Sequence, residues 1–166
     1  MAAQTDVAIK IRVYETATAD LGSPNMTHLL ELLQTAYASG TVASTFDTVW
    51  SDTRNLVGAT EALDLAGSLT GLLGGTITFA KLCGLIIRNN ATTTAFDLKV
   101  GGAAANAWYG CFDGATHIAV VPPGGFFWWF SPIDGKTVTA GTGDQLKIDS
   151  GANTISYSIL LLGRSA

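Results

Sequence analysis

The sequence predicts a mainly β protein: an antiparallel β-sandwich or jelly roll with an N-terminal strand and one short helix. Three observations predict it. From about residue 60 onward, short segments alternate apolar and polar residues between Gly, Asn, Thr and Pro turns, which counts to about eight strands. The 166 residues include 19 glycines, as a chain with many tight turns requires. No helical pattern stands between the strand-like segments, which disfavours an α/β arrangement.

At the start, Val7, Ile9, Ile11 and Val13 alternate with Ala8, Lys10, Arg12 and Tyr14, a strand with one buried face. Ser23-Pro24-Asn25 then offers capping oxygens, and Leu29, Leu30, Leu32, Leu33, Ala36 and Tyr37 recur at helical spacing before Gly40 supplies a stop. This predicts an amphipathic helix over about 25–38, short and broad-faced, packing on its own domain or on a neighbour. Thr41 to Gly58 mixes Val42, Phe46, Val49, Trp50 and Leu56 with Ser, Thr and Asp and reads as extended. Residues 1–57 carry the helix and the fewest glycine turns, so they are expected to form an arm or platform, with the sandwich occupying 58–166.

Within 58–166, Ala62 to Leu65 is a short strand ending at Gly67, and Leu72 to Gly75 is a turn. Thr76 to Arg88 reads as a central strand, apolar on both faces from Leu82 to Ile87, with Gly84 as a candidate bulge. Phe96, Leu98 and Val100, then Ile118 and Val120, then Leu146 and Ile148, mark further short strands. The last is the clearest: Ile155, Tyr157, Ile159 and Leu161 line one face, opposite Thr154, Ser156 and Ser158, until Leu160 and Leu162 make the end double-sided.

The stretch Val121 to Pro132 stands apart. Phe126, Phe127, Trp128, Trp129 and Phe130 run between Pro122-Pro123-Gly124-Gly125 and Pro132, and read as one strand with Phe126, Trp128 and Phe130 on one face and Phe127 and Trp129 on the other. Both faces are apolar, and a two-layer β protein needs only one. One face should fill the core and the other should sit at an interface, and the alternation does not say which. Phe127, Trp129 and Trp128, with Leu29 and Leu33 from the predicted helix, are the candidate interface residues.

Composition and motifs argue against most chemistry. Charged residues are 13% of the chain, against roughly 25% in soluble domains, so much surface must be uncharged. The net charge is −4 and the nine Lys and Arg are scattered, so no phosphate-binding cluster is seen and no nucleic-acid partner is expected. No run approaches the ~18 to 20 apolar residues of a membrane span, and the N-terminus lacks a basic start and apolar segment, so synthesis and retention in a cytoplasm are expected. Cys83 and Cys111 lie in apolar surroundings outside any CxxC pair and read as buried, reduced thiols. His28 and His117 form no metal-ligand spacing, and Asp134-Gly135 and Gly143-Asp144 are better turn pairs than cation sites. Gly101-Gly102 and Gly124-Gly125 have no following helix and make no phosphate cradle. No metal, no cofactor and no catalytic residue is expected.

The runs Leu63-Asp64-Leu65-Ala66-Gly67, Gly75-Thr76-Ile77-Thr78-Phe79-Ala80-Lys81 and Gly84-Leu85-Ile86-Ile87-Arg88-Asn89 resemble small virion proteins of tailed bacteriophages. So do Leu98-Lys99-Val100-Gly101-Gly102-Ala103, Val121-Pro122-Pro123-Gly124-Gly125 and the stretch from Val138 to Ile148. The resemblance spans about residues 48 to 164. It implies a β-sandwich or jelly roll that assembles as an oligomer on the virion, as capsid decoration or cement proteins do. The expectation is therefore a non-enzymatic virion structural protein, made in the bacterial cytoplasm, that binds the outside of a capsid through the major capsid protein and through copies of itself, as a homotrimer. The strongest rival is a receptor- or glycan-binding tip domain of a phage tail fibre, since jelly rolls also serve lectins and aromatics stack on sugar rings.

Overall fold

The computed structural model describes residues 5–16 and 25–166. Contacts divide the chain into two compact units, Met1–Ser39 and Gly40–Ala166. The first holds β1 (Thr5–Thr16) and β2 (Asn25–Tyr37), which pair antiparallel from Thr5 opposite Tyr37 to Thr16 opposite Asn25. Strand β1 is where its alternation places it. The helix expected over 25–38 is instead β2, and the described residues contain no helix.

A bulge accounts for that correction. The register slips between Ile9 and Lys10, so that Ile9 faces Leu33 while Lys10 faces Glu31, and Leu32 is the extra residue. Leu30, opposite Ile11, is thereby followed by Leu33, opposite Ile9. A three-residue step replaces the two-residue step of a regular strand, and three is also helical spacing. Lys10 and Glu31, one pair of the ladder, form an ion pair of 3.0 Å.

The second unit contains β3 (Thr48–Val57), β4 (Thr60–Asp64), β5 (Leu69–Thr70), β6 (Thr76–Ile77), β7 (Lys81–Asn89), β8 (Leu98–Gly101), β9 (Ile118–Val121), β10 (Phe126–Phe130), β11 (Lys136–Thr137), β12 (Gln145–Asp149) and β13 (Thr154–Arg164). One sheet runs β10-β7-β13-β3, with β11 also beside β7; another runs β4-β12-β8-β9; β5 and β6 form a small hairpin. All of these strand pairs are antiparallel. The expected boundary near residue 57 falls inside this unit, because β3 pairs along its whole length with β13 and brings Trp50 and Leu56 into the core.

The two larger sheets share one hydrophobic core. Leu85 and Ile87 of β7 and Ile155, Tyr157, Ile159 and Leu161 of β13 meet Leu63 of β4, Leu98 and Val100 of β8, Val121 of β9, and Leu146 and Ile148 of β12 in a single cluster. The alternation in β8, β12 and β13 thus marks the buried face correctly. Expected as one strand, Thr76 to Arg88 is divided at Thr78–Ala80 into β6 and β7. Strand β7 is central, and its bulge places Cys83, next to Gly84, as the residue skipped between the Leu162–Gly84 and Gly163–Leu82 pairs.

Candidate functional site

Strand β10 lies at the edge of its sheet, and its position is set by the turn before it. Gly125 N donates to Pro122 O at 2.9 Å, and Gly124 takes a φ of 72°, a left-handed conformation that glycine adopts without strain. The turn is tied to β7 through Asn89, whose backbone exchanges hydrogen bonds with Gly124 and Gly125. The fully buried Asn89 side chain donates to Phe96 O at 2.7 Å and Val121 O at 2.9 Å and accepts from Ala91 N at 3.0 Å. Asn89 of β7 thus holds the end of β9, in one sheet, through its side chain, and the turn before β10, in the other, through its backbone.

The inward face of β10 carries Phe127 and Trp129, opposite Ile87 and Leu85 of β7. Both are half-buried and pack on the shared core. The loop between β8 and β9 covers them: Phe112 stacks on Phe127 with centroids 5.9 Å apart, and the buried Trp108 meets Trp129 edge-on at 5.9 Å. Trp108 Nε1 donates to Thr137 O at 3.2 Å, so its polar atom is satisfied.

The outward face carries Phe126, Trp128 and Phe130. Trp128 lies in a row with Ile86 of β7 and Leu160 of β13, all half-buried, and Phe130 in a row with Gly84, Leu162 and Val49. Gly84 has no side chain because Phe130 and Leu162 occupy the space: an added Cβ would sit 3.1 Å from Phe130 Cδ2 and 3.3 Å from Leu162 Cβ. Phe130 is further packed by the buried Phe46 at 5.8 Å and by Trp128 at 6.4 Å. Phe126 is 69% exposed, and Val49 at the far side of the same sheet is 51% exposed. The row of Trp128, Ile86 and Leu160, with Phe126 and Val49 beside it, is an apolar strip across the sheet, partly open to solvent.

The sequence-level candidates are therefore sorted by the fold. Phe127 and Trp129 seal the core edge and Trp128 belongs to the open strip. Leu29, half-exposed, and Leu33, opposite Ile9, belong to the separate unit of β1 and β2; the Leu33 side chain lies outside the described residues. Sequence reasoning missed Leu72 and Leu73, at the tip of the β5–β6 hairpin and 87% and 89% exposed. The turn is closed by Gly71 N to Gly75 O at 3.0 Å and Gly74 N to Gly71 O at 2.9 Å. Two leucines between glycines were the available signal.

Groups with chemical potential have structural work. Burial pushes the Cys111 thiol up to about 12 and raises Cys83 as well, so both are poor nucleophiles. Asp144, buried, accepts from Gly141 N and from Gln145 Nε2 and holds the turn before β12. Arg54 links Asp52 at 3.0 Å and Glu61 at 2.7 Å, and Glu61 also accepts from the buried Tyr157 hydroxyl at 2.6 Å, bridging β3, β4 and β13. Arg164, 2% exposed, donates from Nε to Thr45 O at 3.1 Å and from Nη2 to Pro132 O and Ile133 O. It pins the segment before β3 to the loop after β10. No protein family matches the sequence, and no curated protein matches it.

Proposed function

We propose that the chain is a non-enzymatic virion structural protein that binds and stabilises the outside of a phage capsid as a decoration or cement protein, acting as a homotrimer. In this reading its partners are copies of itself and the major capsid protein, and it is made in the bacterial host cytoplasm before joining the capsid surface.

Residues 40–166 are read as a jelly-roll β-sandwich. Without the three two-residue strands, the unit has eight strands, β3, β4, β7, β8, β9, β10, β12 and β13. Taken as first to eighth, they lie in the order sixth, third, eighth, first in one sheet and second, seventh, fourth, fifth in the other. That is the order two interleaved Greek keys produce, and the shared core supports the two sheets facing each other.

The observation that carries the functional reading is the outward face of β10. A jelly roll needs one apolar face per sheet, yet Phe126, Trp128, Ile86 and Leu160 make a second. The occupant we assign is another copy of this chain: the strip reaches a sheet edge, so a neighbour can bury it, and closed symmetry removes every such strip without an open chain of contacts. The exposed leucines at the β5–β6 tip and in β2 suit contact with a lattice. Sedimentation of the purified chain tests the first part, and negative-stain images of particles labelled with an antibody to this chain test the second. A monomer in solution, or label on the tail, would overturn the corresponding half of the reading.

A further inference from the structure

The loop between β8 and β9, strand β11 and the turn before β12 line an open cavity of about 460 Å³, within the ~300–1,000 Å³ range of small-molecule sites. Its lining combines the Tyr109 ring, 50% exposed, with Thr137, Thr139 and Thr142. Among the described residues, Lys136 is the only charged side chain in the lining, with no carboxylate beside it there. Gly110 and Gly143 complete the wall without side chains, and at Gly110 this is obligatory, since an added Cβ would overlap the Lys136 stem and Trp108.

The walls are held before any ligand arrives. Trp108 N donates to Gln145 O at 2.9 Å, and its indole is fixed through Thr137 O and Trp129. The turn is closed by Gly143 N to Thr139 O at 2.8 Å and Thr142 N to Thr139 O at 3.1 Å. A site whose walls are already ordered costs less to occupy.

We propose that this cavity binds a short saccharide bearing a carboxylate, of the uronic- or sialic-acid class. The apolar face of a sugar ring stacks on Tyr109, its hydroxyls exchange hydrogen bonds with the threonines, and its carboxylate meets the Lys136 ammonium. A purely apolar ligand would strip water from three hydroxyls and an ammonium and return nothing. A polyphosphate or nucleic acid would demand several cations where there is one. The proposal goes beyond the capsid reading and does not depend on it, because the cavity lies on the side of Trp108 and not on the outward strip of β10.

The test is a titration of the ¹⁵N-labelled full chain with glucuronic acid, N-acetylneuraminic acid, glucose and galactose, followed by amide shifts. Saturable shifts confined to Tyr109, Gly110, Lys136, Thr139 and Gly143 are expected with the acidic sugars. Tyr109→Ala should weaken binding about tenfold or more, and Lys136→Gln should abolish the preference for acidic over neutral sugars. Thr139→Val, at an exposed position, provides a second variant that keeps the fold. The proposal is overturned if no saturable shift occurs at these amides at tens of millimolar sugar. It is equally overturned if neutral and acidic sugars bind alike, or if the folded Tyr109→Ala and Thr139→Val proteins bind as the natural chain does.

Discussion

The hairpin of β1 and β2 and the unit of residues 40–166 use strands of similar length, 12 and 13 residues in one and 11 in β13 of the other, but differ in what those strands bury. In β13, Ile155, Tyr157 and Leu161 are fully buried because a second sheet lies over them. In β2, the adjacent residues Leu29 and Leu30 are 50% and 53% exposed, although neighbours in a strand point to opposite sides. Backbone pairing is available to both regions, so hydrogen bonding does not separate them. What separates them is the sheet that lies over β13 within its own unit, since two strands by themselves are marginal in water. Leu29 and Leu30 are therefore suited to an external surface, and the inward residues of β13 to the core of their own unit.

The sharpest way to break this contrast is to cut the chain. A chain beginning at Gly40 should unfold cooperatively, because every described member of the core cluster lies beyond that point. A chain beginning at Gly58 should not fold, because it lacks β3 and with it Trp50 and Leu56. Far-ultraviolet circular dichroism with thermal melts decides both. A native-like melt from the shorter chain would return β3 to the N-terminal arm, and an unfolded 40–166 chain would make the hairpin part of the folding unit.

Next in size are the two faces of β10. Trp129→Ala opens the core edge under Trp108 and should cost about 3 kcal/mol, the lower end for a large aromatic, since the side chain is only half-buried. Phe126→Ser, at a position 69% exposed, should change the melting of the monomer by less than ~1 kcal/mol while shifting light scattering to a smaller species. Equal destabilisation by both changes, without a change in size, would place the outward strip within the core of one chain.

Arg164 offers a finer cut, between the β unit and the segment that leads into it. Replacing it with Met leaves Thr45 O, Pro132 O and Ile133 O without their cationic donor and should cost about 2 kcal/mol. Amide exchange should rise first at Ser44, whose N–H donates to Pro132 O, while the amides of β13 upstream stay protected. Uniform exchange across the unit would mean that the arginine supports the whole core and not that segment.

Much of the larger unit was legible because its strands obey a period of two. Leu98 and Val100, Leu146 and Ile148, and Ile155 to Leu161 are buried where alternation puts them. The helix failed where a bulge turned the period of two into a step of three at Leu30 and Leu33, an ambiguity that only the partner strand resolves. The aromatic strand was legible, but its inward face was not: Phe127 and Trp129 are chosen by Phe112 and Trp108, which come from a loop whose path no local pattern encodes. Tyr109 and Lys136 meet across one cavity for the same reason, and nothing in their separate neighbourhoods announces it.

The smallest effect is that of pH, and its sign can be worked out for the larger unit. At Asp47, burial raises the carboxyl but is outweighed by hydrogen bonds from Ser165 and Thr48, so the folded value lies below 3.8; at Asp149 the Gly151 amide does the same. A carboxylate lowered in this way contributes stability above its unfolded value and loses it as pH falls through the folded one, so melting should drop only below about pH 4. On the alkaline side, burial raises Cys111 from 9.0 to about 12 and, together with Glu61, raises Tyr157. A raised acid keeps the fold's advantage below the unfolded value and loses it as pH climbs toward the folded one, so the decline should begin above about pH 9. Between these limits the melting temperature of the larger unit should be flat. Asp47→Asn should soften the acid limb alone and Cys111→Ala the alkaline limb alone. A slope between pH 5 and 8 kept by the 40–166 chain would overturn this assignment of the two limbs.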